Sequence, residues 1–298
     1  MSKRRSSKKI ILSLIAILLV VVTVIFMLGF TDKVEELFNC NHNSSYSTGV
    51  NAEATIKKFA QKNGLEMSDW PDELIDLLNR NAETESFVLN YPLKKDIKYD
   101  IDLDECDYSS SVPLFLQWDE RWGYTPYGDD MIALSGCGPT CLSMVCVYLL
   151  NDTTYNPRYI AEFSEANGYC VPGNGSAWAL ISEGGPLLGL NVEELSLDEN
   201  TVIQNLEAGN PIICVMGPGD FTSSGHFIVM TDYVDGKIKV NDPNSKARSE
   251  KLWEFEDIKS QINNLWACSV SDSDIEYNDY EYNDYNYSYY EESDLYIE

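Results

Sequence analysis

The sequence predicts an α+β domain over residues 112–270, a group of helices packed on an antiparallel sheet. Three observations carry that prediction. Leu142, Val145, Cys146 and Leu149 follow Pro139 at the i, i+3, i+4, i+7 spacing of a helix with one apolar face. Strand-like runs at Pro211–Met216, Phe227–Val234 and Ile238–Val240 come after the helices instead of alternating with them. Asp235-Gly236 separates the last two runs and is a hairpin-turn dipeptide.

The remaining elements follow in chain order. Residues 1–9 hold Lys3, Arg4, Arg5, Lys8 and Lys9 and no acid. From Ile10 to Phe30 the only hydroxyl side chains are Ser13 and Thr23. At about 1.5 Å per residue that stretch just crosses a hydrocarbon core of about 30 Å. A secretory signal would have a shorter apolar region, roughly 7–15 residues, ending at a small-residue cleavage site. The exit here is Leu28-Gly29-Phe30-Thr31-Asp32. The expectation is a single uncleaved transmembrane helix at residues 10–30, with a cytoplasmic N-terminus and the rest of the chain extracellular at the cell membrane. Residues 31–50, polar and rich in Asn and Ser, read as a stalk.

Residues 51–111 read as a small helical segment and linker. Ser68 is the expected N-cap before Trp70-Pro71, and Leu74, Leu77 and Leu78 follow at helical spacing. Asn90-Tyr91-Pro92 is expected to stop that run, and residues 93–111 suit a linker or surface-wrapping segment. Within the domain, a helix is expected over Ala177–Leu188 despite Gly184, Gly185 and Pro186. Another, capped by Asp198, runs through Val202 and Leu206 to Gly209. In residues 271–298, Glu276-Tyr277-Asn278-Asp279-Tyr280 repeats at once as Glu281-Tyr282-Asn283-Asp284-Tyr285. With no Lys or Arg and few aliphatics, this acidic Tyr-rich tail is expected to be disordered.

A net charge of −27 sets the chain against nucleic acid phosphates and anionic lipid heads. All eight cysteines lie on the predicted outer side. No CxxC pair occurs, so no zinc cluster is expected. Cys-His chemistry needs no cofactor, and none is expected.

The chain has only two histidines, and His42 lies in the stalk. Cys-His chemistry therefore falls to Cys137, in Ser135-Gly136-Cys137-Gly138-Pro139-Thr140, and His226, which opens an apolar strand. A free thiol is mostly protonated at neutral pH. A helix N-terminus and a neighbouring imidazolium both lower its pKa, and Pro139 places Cys137 at a helix start. Cys141 and Cys146 on the same helix read as buried structural thiols.

An imidazole also needs a group that fixes its tautomer. Asn241-Asp242-Pro243 lies on the strand returning from His226, and hairpin register decides between the first two. A two-residue turn pairs Val234 with Lys237 and puts Asn241 on the His226 face. A three-residue loop with Gly236 as a left-handed bulge pairs Tyr233 with Lys237 instead. It gathers His226, Ile228, Met230, Ile238, Val240 and Asp242 on one face. The second register keeps the aliphatics together, so it is the predicted one, and Asp242 with it.

Gln117-Trp118-Asp119-Glu120-Arg121-Trp122-Gly123, Gly136-Cys137-Gly138-Pro139-Thr140, Gly225-His226 and Asn241-Asp242-Pro243 stand in the order and spacing of a known family. Over residues 110–270 the chain resembles the bacterial C39-like cysteine peptidases. The resemblance implies a papain-like fold, with Cys137 as nucleophile, His226 as base, Asp242 as orienting group and Gln117 as the oxyanion-hole glutamine. Family members that process bacteriocin leaders at a double glycine are fused to an ABC transporter. With one expected span and no P-loop, no ABC transporter is present in this chain, and that specificity is not carried over. Trp118 and Trp122 suit either a cleft wall or the core.

The expected function is thus a membrane-anchored extracytoplasmic cysteine peptidase using a Cys-His-Asp triad. Its partners would be a peptide or protein substrate and the membrane, through the N-terminal helix. A cell-wall amidase or transpeptidase could use the same triad. A non-catalytic peptide-binding module is the third reading, but binding alone has no use for all three groups.

Overall fold

The computed structural model describes residues 51–103 and 110–271. The expected transmembrane helix, stalk and acidic tail, with Cys40, His42 and Cys106, lie outside these residues. Among the described residues no helix is long and apolar enough to cross a membrane.

Three helices come first: α1 (Ala52–Asn63), α2 (Asp72–Arg80) and α3 (Glu85–Lys94). Leu74, Leu77 and Leu78 are buried, as their spacing predicts. Ser68 is not the cap. A 3₁₀ turn over Met67–Asp69 is closed instead by a reciprocal capping box between Glu66 and Asp69. Nor does Pro92 stop the chain, for it lies inside α3. A proline there leaves the carbonyl four residues back without its helical donor. That carbonyl, Val88 O, accepts from Trp70 Nε1 at 2.7 Å in the buried interior. An unpaired buried acceptor costs about 1–3 kcal/mol, so the tryptophan is what admits the proline.

These helices share a core with the domain. Phe87 stacks on Tyr124 with ring centroids 4.3 Å apart, and Trp118 and Ala133 are buried in the same cluster. Trp122 lies in the central core, so both tryptophans of the Trp118-Trp122 motif are core residues. The segment after α3 wraps the surface: Ile101 and Leu103 pack on the core, and Arg158 donates to Tyr99 O at 2.8 Å.

The domain is built on α4 (Cys137–Leu150), α5 (Pro157–Ala166) and a six-stranded antiparallel sheet. Its strands are β1 (Asn191–Glu194), β2 (Ile212–Met216), β3 (His226–Val234), β4 (Lys237–Asn241), β5 (Leu252–Trp253) and β6 (Ile262–Ser269). They lie in the order β1-β6-β2-β3-β4-β5. On one face Ile213, Val215, Phe227, Val229 and Trp266 meet α4. On the other, Cys214, Met216, Ile228, Met230, Val240 and Leu265 meet Val202 and Leu206 of α6 (Glu199–Glu207), which Asp198 caps.

The mixed helical and antiparallel architecture is as predicted, with two corrections to its helices. α4 is not amphipathic: residues Gly138 through Val147 are all buried, so it is the central helix of the core. The Ala177–Leu188 stretch is not a regular helix but a π turn over Leu180–Gly184 followed by a short α turn over Gly185–Leu187.

The hairpin register is also corrected. Val234 pairs with Lys237, so the turn has two residues, with Asp235 at φ 52 and Gly236 at φ 80. Consecutive positive φ values give the hairpin the handedness of twisted strands. The bulge exists, but at Thr231: Asp232 pairs with Lys239, whereas Met230 already pairs with Val240. One residue is inserted in mid-strand, and this slips the register by the same single step. Asp242 is returned to the His226 side.

Candidate active site

Cys137 is the first residue of α4, behind Gly136, which makes no side-chain cap. The two flanking glycines are fixed by close packing, not by left-handed backbone. A Cβ at Gly136 would stand 2.7 Å from Ile132 O, and one at Gly138 would stand 2.7 Å from Ser176 Oγ. The helix start is thereby pressed against its neighbours, and Cys137 is left partly exposed.

His226 opens β3 opposite Met216 and is largely buried. Its Nε2 is 2.8 Å from Asp242 Oδ1, which leaves the other ring nitrogen for its hydrogen bond with Cys137. Asp242 is fully buried. Besides the imidazole, Oδ1 accepts from Asn244 N at 2.8 Å. Oδ2 accepts from Arg248 Nε, and Asp242 N donates to Ser249 Oγ at 2.8 Å.

The electrostatics follow from these contacts. Burial pushes the Cys137 thiol up, but the His226 hydrogen bond and charge and the Phe227 and Gly138 backbone N–H groups outweigh it. The net result is a pKa below the ordinary thiol range. Burial pushes His226 down, and the adjacent Asp242 carboxylate reverses this, raising it to about 10. Burial would raise Asp242, yet His226 and Arg248 hold its carboxyl below the usual range. The three shifts favour a thiolate–imidazolium pair resting on a carboxylate.

The other described cysteines lack this environment, and none is in a disulfide. Burial raises Cys141, Cys146 and Cys214, and it pushes Cys268 up to about 12. Among the described residues no His, Cys, Asp or Glu cluster could hold a metal ion.

Gln117 ties the two halves of the site together. Its Nε2 donates to Ala133 O at 2.7 Å, just before the Cys137 turn. Its backbone N–H donates to Pro243 O at 2.7 Å, just after Asp242. The side chain is buried, and Oε1 has no hydrogen-bond partner among the described residues. Asn241, the competitor for the third position, donates Nδ2 to Val112 O and Pro113 O at 3.1 and 2.9 Å. It faces away from the imidazole and pins the first segment of the domain.

Sequence reasoning missed Arg248, Asn244 and Ser249. Ser245 was a readable cap for the short helix α7 (Lys246–Glu250), accepting from Arg248 N at 3.2 Å. Nothing in the polar run, however, says that the guanidinium turns inward.

The model of the Peptidase_C39 like family matches residues 109–273, more than half of the chain. Two solved structures resemble it. One is the peptidase domain of Streptococcus ComA, a bifunctional ABC transporter involved in a quorum-sensing pathway. It is 19% identical, with 54% of this chain and 99% of that chain covered, at a TM-score of 0.37. The other is a C39-like peptidase from Bacillus anthracis, 14% identical, covering 54% of this chain and 95% of that one, also at 0.37. No curated protein matches. On the family match, the chain belongs to the peptidase C39-like family.

Proposed function

We propose that this member of the C39-like peptidases is a papain-like cysteine peptidase, held outside the cell by an N-terminal membrane anchor. The observation that carries the reading is the Cys137–His226–Asp242 chain, in which thiol and imidazole shift in opposite directions.

The Cys137 thiolate attacks the carbonyl carbon of the scissile peptide bond. Negative charge then develops on the carbonyl oxygen. On this reading the Cys137 backbone N–H is the first donor, because it belongs to the first turn of α4, where amides lack helical acceptors and the helix end is positive. Gln117 is the second donor, since one of its amide hydrogens goes to Ala133 O and the other remains. As the intermediate collapses, the C–N bond breaks and the His226 imidazolium gives its proton to the leaving amine. The acyl thioester is hydrolysed by a water that the neutral His226 deprotonates, and thiolate and imidazolium are restored. Asp242 fixes the ring and stabilises its charged form.

The anchor rests on the basic flank of residues 1–9 and the apolar run from Ile10 to Phe30. A cysteine-directed probe, mapped by mass spectrometry, tests the nucleophile beside a peptide-library cleavage assay. The expected outcome is labelling first at Cys137, and cleavage that disappears in Cys137→Ala. Equal labelling across several cysteines would sink the mechanism. Activity on wall fragments but on no peptide would move the reading to an amidase.

A further inference from the structure

The N-terminal helices reach the buried carboxylate through the turn between α2 and α3. Glu83 in that turn accepts from Ser245 Oγ at 2.7 Å through Oε1 and from Lys246 N at 2.7 Å through Oε2. Ala247 N lies a further 3.4 Å from Oε1. Ser245 is the N-cap of α7, and Lys246 and Ala247 are its first two residues. One carboxylate from a distant part of the chain thus takes up donors that a helix start leaves open, at the end where negative charge is favoured.

Residues 244–249 also carry three of the groups that hold Asp242: Asn244 N and Arg248 Nε on its oxygens and Ser249 Oγ on its backbone N–H. A second clamp stands beside the first. Asn81 Nδ2 donates to Asn244 O at 2.6 Å, and Trp118 Nε1 donates to the same carbonyl at 3.3 Å. The carboxylate that orients His226 is therefore supported by a segment whose outer side is fastened by the N-terminal helices.

We propose that Glu83 is a positioning residue for the reaction, and that residues 51–94 are a permanent brace of the site, not a removable cover. The proposal rests on the cysteine-peptidase reading above. Glu83 makes charge-assisted contacts with α7, and α7 in turn aims Arg248 at Asp242. Loosening that start displaces Arg248 and Asn244, and the imidazole loses the fixed carboxylate that keeps it charged. The thiol then loses its partner. Small displacements of this kind lower rate without abolishing binding.

The test uses the full-length protein and its Glu83→Ala, Glu83→Gln and Glu83→Asp variants. The rate of Cys137 alkylation is followed against pH, which needs no substrate, with kcat and KM on a library-selected peptide. In Glu83→Ala the alkylation limb is expected to move to higher pH. At the same time kcat falls about ten- to a hundredfold with KM within about twofold. Glu83→Asp, which keeps the charge, restores part of both. Glu83→Gln keeps the shape but not the charge, and it provides the answer should the alanine variant fail to fold. An unshifted limb and unchanged kcat in both Glu83→Ala and Glu83→Gln overturn the brace alone. An ordinary thiol profile at Cys137 in the unmodified protein overturns the peptidase reading, and the brace falls with it.

Discussion

Cys137 and Cys141 lie one turn apart on α4, and their thiols shift in opposite directions. Burial is the largest influence on both and pushes both up. The difference lies in what else reaches the sulfur. At the helix start, the His226 ring and the Phe227 and Gly138 amides point at Cys137. One turn on, the further influences on Cys141 are the negative charges that Cys137, Asp242 and Cys214 carry when ionised, and they raise it more. A dry environment alone makes an inert thiol; donors and a cation within it make a nucleophile.

The most damaging change to this contrast removes the cation. His226→Ala takes away both the imidazolium beside Cys137 and the proposed proton donor for the leaving amine. Peptidase rate is expected to fall by about 10²–10⁴-fold, and alkylation of Cys137 to slow toward that of Cys141. A folded His226→Ala protein with undiminished turnover would end the Cys-His mechanism. In the proposed mechanism the active form of the unmodified protein would exist above the lowered Cys137 pKa and below the His226 value of about 10. Activity should therefore rise at a lower pH than an ordinary thiol allows, then decline near pH 10.

Gln117→Ala separates transition-state stabilisation from thiol activation. With Gln117 as the proposed oxyanion donor, its loss should lower kcat by about 10²–10³-fold, with little change in KM and none in the alkylation profile of Cys137. An alkylation profile that moves with kcat would instead show that Gln117 acts through its side-chain bond to Ala133 O, before the Cys137 turn, and not on the oxyanion.

Asp242 variants act on the cation from behind. Without the carboxylate, His226 loses what raised it and Cys137 loses part of what lowered it. The active window should therefore narrow from both sides. Asp242→Asn can still hold the ring and retains some activity. Asp242→Ala loses more. It also breaks the buried Asp242–Arg248 ion pair, at about 3–5 kcal/mol of stability. Identical profiles for the two variants would mean that orientation contributes nothing.

The legibility of this site in the sequence was uneven for physical reasons. Scarcity of histidine was enough to pair His226 with Cys137, and Pro139 was enough to place Cys137 in a first helical turn. Asp242 was reached through a turn that does not exist. The register slip lies at Thr231, where a good strand-former sits in a strand and leaves no local mark, while Asp235-Gly236 makes an ordinary two-residue turn. Pro92 misled because its helix is repaired by Trp70, from outside the helix. Strand β1 escaped notice because Glu193 and Glu194 are exposed at the sheet edge, so its alternation is weak. Arg248 and Glu83 act across distances in the chain that no local pattern spans.

The smallest expected effect is the control on which the comparison rests. Cys141 is fully buried one turn from Cys137 and its pKa is raised well above the thiol range, so it is neutral near neutral pH. A neutral thiol adds no charge to the site. Cys141→Ala removes one sulfur from a tightly packed helix, at a cost of about 1 kcal/mol in stability. It should leave the Cys137 alkylation profile in place and kcat/KM within about twofold. In denaturant, where neither environment survives, the two thiols should label at equal rates. A change of more than tenfold in kcat/KM in a folded Cys141→Ala protein would show that the second turn takes part in activating the first. The division of α4 into a reactive turn and an inert one would then fail.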